Sequence, residues 1–209
     1  MNARAKLAVF LRQLNTRIGG SGLHGIQSDE EPPLPPLRSE LFTADQMEQH
    51  GKALAASHRL ASGRAPDRLL ARLAANESTL VGVCNLLAAA ISENHRISPA
   101  GEWLLDNFYL IEEQIRTAKR HLPKGYSRDL PRLENLPSGA SGPSAACPRV
   151  YDIALEIISH GDGRVDAEVL SRFVAAYQTV TVLKLGELWA TPIMLRLAVI
   201  ENLRRVGVR

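Results

Sequence analysis

In the segment GEWLLDNFYLIEEQIRTAKRHL the apolar side chains recur at Leu104, Phe108, Ile111, Ile115, Ala118 and Leu122, with spacings of 4, 3, 4, 3 and 4. Only a helix, at about 3.6 residues per turn, brings such positions onto one face. A half-buried strand needs alternation of period two, and no stretch of the 209 residues sustains it, so the chain is expected to be all-α. Ser98 and Pro99 stand where an N-cap and a first helical residue belong, and Pro123 with Gly125 marks the far end.

The same reading extends along the chain. Thr43 is placed to cap ADQMEQHGKALAASHRL, whose stripe holds Met47, Leu54 and Leu60 among alanines. Gly63 and Pro66 punctuate its end. Pro66 then opens a helix of about 28 residues, roughly 42 Å long, with Leu69, Leu73, Leu80, Val83, Leu87 and Ile91 at helical intervals. Two long helices joined by a short loop pack most simply antiparallel. Residues 149–160 and 166–180 form two further amphipathic helices, the second capped by Asp166. The run from Leu185 to Val206 is apolar nearly all round and contains Pro192, which is expected to kink it. With Glu187 and Arg196 inside it, this run falls short of the about 20 apolar residues a membrane span needs. It is expected to be buried, either at the centre of the bundle or under neighbours beyond the C-terminus.

Two segments have linker composition. Residues 19–38 hold four of the 12 prolines and four of the 15 glycines around an acidic cluster, and 134–148 are nearly all Ser, Gly, Pro and Ala. The expected organisation is a flexible tail over 1–38, a helical part over 39–133, a loop over 134–148 and a second helical part over 149–209 packing on the first. Together they make a multi-helix bundle of long antiparallel helices.

The chemical readings are weaker than the structural ones. Glu102 and Asp106 lie four apart, and Asp106, Tyr109 and Glu113 share a face turned from the apolar stripe, so paired carboxylates for acid–base work come to mind. However, acids in a first turn also complement the helix dipole, Glu112 and Arg116 make an ordinary helical ion pair, and nothing else completes a catalytic group. Six scattered histidines, His24, His50, His58, His95, His121 and His160, show neither HxxxH nor HExxH spacing, so no metal is expected. Neither a nucleophile elbow nor a phosphate loop occurs. Cys84 and Cys147 read as ordinary thiols of a reducing compartment. The charge balance of 25 Lys+Arg against 22 Asp+Glu does not resemble a nucleic-acid binder. Arg116, Lys119, Arg120, Lys124, Arg128 and Arg132, with Tyr109 and Tyr126 among them, sit where the dipole of the 99–122 helix favours cations anyway.

One likeness goes further. GEWLLDNFYLIEEQIRTAKRHLPKGYSRDLPRL (101–133), PRVYDIALEIISHGDGRVDAEVLSRFVAAYQTV (148–180) and LGELWATPIMLRLAVIENLRR (185–205) resemble the N-terminal region of bacterial cyclic β-1,2-glucan synthases, and PLRSELFTADQMEQHGKALAASHRL (36–60) is similar to its beginning. The resemblance implies a parent that is a large inner-membrane enzyme, with a UDP-glucose-dependent glucosyltransferase and a C-terminal module like glycoside phosphorylases. Neither a DxD nor a QxxRW motif stands in these residues, so no catalytic residue of the family carries over, and the chain is expected to be a fragment ending at Arg209.

On this resemblance the chain is a non-catalytic helical region, without a cofactor of its own, that scaffolds or regulates the transferase at the cytoplasmic face of the inner membrane; taken alone it is expected to be soluble and cytoplasmic. Its partners would be the remainder of the synthase or the membrane surface, with glucan as a further ligand and no nucleic acid. The candidate interaction surface comprises Glu102, Asp106, Asn107 and Glu113, then Tyr126 and Arg128, then Glu187, Trp189, Arg196, Glu201 and Asn202. The alternative is a stand-alone carbohydrate-binding or glucan-processing protein with Trp103, Trp189, Tyr109 and carboxylates lining a groove. Exposed rings facing one cleft would favour it.

Overall fold

The computed structural model describes residues 35–37, 40–62, 67–134 and 147–209. The tail over 1–34, the Gly63–Pro66 punctuation and most of the 134–148 loop lie outside these residues. Among the described residues the chain is all-α: α1 (Ala44–Ser57), α2 (Leu69–Ser92), α3 (Pro99–His121), the single turn α4 (Tyr126–Asp129), α5 (Arg149–His160), α6 (Ala167–Gln178) and α7 (Leu185–Gly207).

The helix starts obey local chemistry. Thr43 and Gln46 form a capping box at α1, Ser98 Oγ accepts the Gly101 N–H with Pro99 in the first turn of α3, and Asp166 accepts from the N–H groups of Glu168 and Val169 at α6. The α3 stripe is the core face: Leu104, Phe108, Ile111, Ile115, Ala118 and Leu122 are all buried. Packing directions follow from the cross-helix contacts. Lys119 at the end of α3 pairs with Glu77 early in α2, while Gly101 at the start of α3 lies against Leu87 late in α2, so these two helices run antiparallel. By contrast α7 runs alongside α2 in the same direction, since Glu201 is held by Arg72 and Asn76 and Gly207 lies by Leu80 and Val83.

Where the sequence favoured a hairpin of α1 with α2, α1 packs instead on α6, again in the same sense. Arg172 reaches Asp45 and Glu48, and His58 meets the Tyr177 hydroxyl at 2.7 Å. Two causes are visible. The buried stripe of α1 is narrow, Met47, Gly51 and Ala55, and fits the ring of Phe173. Beyond α1 the chain is drawn aside by backbone pairing, with Ala61 N–H donating to the Arg132 carbonyl at 3.0 Å and Glu134 N–H to the Arg59 carbonyl at 2.8 Å. The apolar α7 is central, packed against α2, α3 and α5. Ordered contacts also reach back before residue 38: Leu37 is buried and its N–H donates to Asn202 Oδ1 at 2.8 Å.

The α1–α6 contact makes a directional prediction. A Cβ at Gly51 would stand 3.0 Å from the Phe173 carbonyl oxygen, whereas one at Gly82 on α2 would meet nothing. Gly51→Val is therefore expected to cost about 1–3 kcal/mol, and Gly82→Ala to gain up to about 1 kcal/mol, both read from urea unfolding midpoints.

Candidate functional site

The face shared by α3 and α7 carries most of the candidate surface. Glu102, Asp106, Tyr109 and Glu113 are exposed along the side of α3 away from its core stripe. Asn107 is half-buried, its amide donating to the Trp103 carbonyl at 2.8 Å. Tyr126 donates its hydroxyl to the Gly186 carbonyl at 3.0 Å, which ties the end of α3 to the start of α7, and Arg128 beside it is exposed. Arg196 crosses from α7 to α3, its Nε donating to Gln114 Oε1 at 2.8 Å. Beneath that bridge lies a groove of about 450 Å³ with apolar walls: Leu110 and Ile111 from α3, and Pro192, Leu195, Val199 and Leu203 from α7. At the N-terminal end of α7, Val182, Leu185 and Trp189 extend the exposed apolar surface.

Glu187 and Glu201 do not belong to this surface. Both are at 0% exposure. Glu187 forms a bidentate pair with Arg149, at 2.8 Å to Nε and 2.5 Å to Nη2, and accepts the Lys184 N–H at the start of α7. Arg149 in turn donates to the Val182 carbonyl. Glu201 receives Arg72 Nη2 at 2.7 Å, Arg205 Nε at 2.9 Å, Arg204 Nη2 at 3.2 Å and Asn76 Nδ2 at 2.9 Å. Burial pushes its carboxyl upward, but the Arg72 charge and the hydrogen bonds of Arg72, Arg205 and Asn76 outweigh it and hold the pKa at about 2. Glu201 is thereby held as an anion with no proton to exchange near neutrality. Asn202 is likewise engaged, as the acceptor for Leu37.

Both tryptophans are exposed, Trp103 at 57% and Trp189 at 76%, yet they do not share a cleft. Trp103 lies one turn into α3, whereas Trp189 lies near the start of α7, the end that Tyr126 ties to the far end of α3. The length of α3, about 27 Å over its last 18 residues, separates them. The thiols offer no nucleophile, because burial pushes Cys84 up to about 12 and Cys147 up to about 11.

Sequence reasoning missed one constellation. His50 of α1 and Glu156 and His160 of α5 bring their ligand atoms within 4.8 Å of one another. The Glu156–His160 spacing of four was a local signal, but His50 lies 106 residues from Glu156 and no motif spans that interval.

No family model matches the chain. Over 174 residues, 83% of its length, it is 36% identical to the cyclic beta-(1,2)-glucan synthase NdvB of Rhizobium meliloti (strain 1021), and the chain covers 6% of that protein.

The buried pairs yield two expectations. Glu201 has a folded pKa depressed below that of the unfolded chain, so its contribution is fully present above about pH 5 and lost as pH falls toward 2. By linkage that contribution is about 3 kcal/mol, and Glu201→Gln should lower stability at pH 7 while flattening the acid limb of a stability–pH profile. For the second pair, Arg149→Ala strands Glu187 and should cost about 3–5 kcal/mol, whereas the double change Arg149→Met with Glu187→Leu recovers most of it in the same unfolding assay.

Proposed function

We propose, starting from the relation of this chain to a cyclic β-glucan synthase, that it is a non-catalytic helical region of such an enzyme and docks on the remainder of the synthase to hold its glucosyltransferase in position. The observation that carries this reading is the 36% identity over 83% of the chain. The surface supports it. An apolar groove between α3 and α7, continued by Val182, Leu185 and Trp189, is the kind of exposed patch that a partner covers. The chemistry supports it too, since Glu187 and Glu201 are fully buried and paired with arginines, away from any surface a substrate could reach.

The parent is read as a membrane enzyme using UDP-glucose, as the resemblance implies. Among the described residues, α2 is long and apolar enough to cross a membrane by length and composition. Its Arg72, Asn76 and Glu77 are nevertheless tied to Glu201 and Lys119, which supports reading it as a helix of the bundle. A carbohydrate cleft is disfavoured by the separation of Trp103 from Trp189.

The decisive experiment mixes the purified chain with a synthase lacking the matching segment and follows co-purification and glucosyl transfer from UDP-glucose. The expected result is capture of the truncated synthase with recovery of transfer. Leu110→Asp with Val199→Asp, at two exposed positions of the groove, should abolish capture with unchanged circular dichroism. Glucosyl transfer or glucan hydrolysis by the chain alone, retention on lipid vesicles in place of the synthase, or capture indifferent to both substitutions would each overturn the proposal.

A further inference from the structure

The residues His50, Glu156 and His160 sit where α1, α5 and the segment before α1 converge. Glu156 Oε2 lies 3.0 Å from His50 Nε2 and 3.5 Å from His160 Nε2. A tetrahedral cation with bonds of about 2.0–2.1 Å sets its ligands about 3.3 Å apart, so two of the three separations already match. All three side chains are half-buried, and His50 lines an open cleft with Phe42, Asp45 and Gln49 that gives access from solvent.

The surroundings orient the imidazoles as ligands need. His160 Nδ1 lies 2.8 Å from the Glu40 carbonyl, an acceptor only, so Nδ1 carries a hydrogen and Nε2 is the atom turned toward Glu156. Phe42 stacks on the His160 ring at 3.9 Å and 10°, and its N–H donates to the His160 carbonyl, which fixes the ring plane. A neutral His160 thus presents a lone pair to a carboxylate oxygen. Two acceptors in that position require a cation between or upon them, and either a proton on His160 or a metal ion meets the requirement.

The contrast with the neighbouring pair sharpens the choice. Nearby, His58 at the C-cap of α1 is buried between the Asp152 carboxylate of α5 at 3.2 Å and the Tyr177 hydroxyl of α6 at 2.7 Å, so both its nitrogens are taken by single partners. At the His50–Glu156–His160 cluster two imidazoles instead converge on one carboxylate oxygen, which gathers three potential ligand atoms within 4.8 Å of one another. We propose that His50, Glu156 and His160 form a binding site for a divalent transition cation of the zinc type, clamping α1 and the 40–42 segment to α5. The ligand set, two imidazoles and one carboxylate with a further position open to the cleft, suits zinc or cobalt and not the hard, oxygen-preferring cations.

The test uses the full 209-residue chain freed of metal with chelator and titrated with zinc chloride, or with cobalt chloride followed by visible absorption. The expected result is one equivalent of either ion, cobalt bands of a four-coordinate N/O site, and a raised melting temperature with zinc. His50→Ala, at a partly exposed position, and Glu156→Gln should each weaken zinc by about tenfold or more while keeping the helical circular dichroism. Magnesium should not compete. Absence of stoichiometric zinc binding by the folded chain, or zinc binding unchanged in both variants, would overturn the proposal and leave a proton as the cation.

Discussion

A carboxylate at zero exposure must be matched by charge from within, and Glu201 is matched by Arg72 of α2, by Arg204 and Arg205 of its own helix, and by the Asn76 amide. The consequence is geometric as much as energetic. Apolar stripes slide past one another at little cost, but a bidentate guanidinium–carboxylate pair has one register. Glu201 therefore sets how far along α2 the central helix lies, and through Arg205, which donates to the Pro35 carbonyl, where the N-terminal segment is laid down. Arg149 and Glu187 do the same at the other end of α7. The central helix is pinned near both termini, and the groove between α3 and α7 is the space left once that position is chosen.

How legible this was depends on the range of the interaction. The elements came through because their signals are local: a cap at Thr43, Ser98 or Asp166, a stripe repeating every three or four residues, a proline in the first turn. The pairings did not, because Arg149 and Glu187 are 38 residues apart and Arg72 and Glu201 are 129 apart, and a lone charged residue in an amphipathic helix is read by default as solvated. A faint clue existed. Glu187 and Glu201 both interrupt nearly continuous apolar sequence, LGELWA and AVIENL, and Glu201 has an arginine four residues on. A charge in such a setting signals a buried partner more often than a docking group.

The candidate surface divides on the same principle. Positions on the amphipathic α3 were placed correctly outside, because Glu102, Asp106 and Glu113 follow from its periodicity. Those on α7 were not separable, because a helix surrounded by α2, α3 and α5 has no single polar face to extrapolate from. Its exposed residues, Trp189 and Val199 among them, are apolar, so the surface that remains after packing is the reverse of what a polarity rule selects.

The pairing of short extended segments has a further consequence. Leu60 bridges Leu133, and Arg132 bridges Pro148, so the chain leaves this junction after Glu134 and re-enters it at Cys147 within a backbone hydrogen bond of its point of departure, Leu133 N–H to the Cys147 carbonyl at 3.4 Å. The gap that the intervening residues must close is therefore constant whatever their number. Closing a ring across such a fixed gap costs entropy that grows only slowly with the number of residues in it, and the two halves of the bundle meet at one stitched seam.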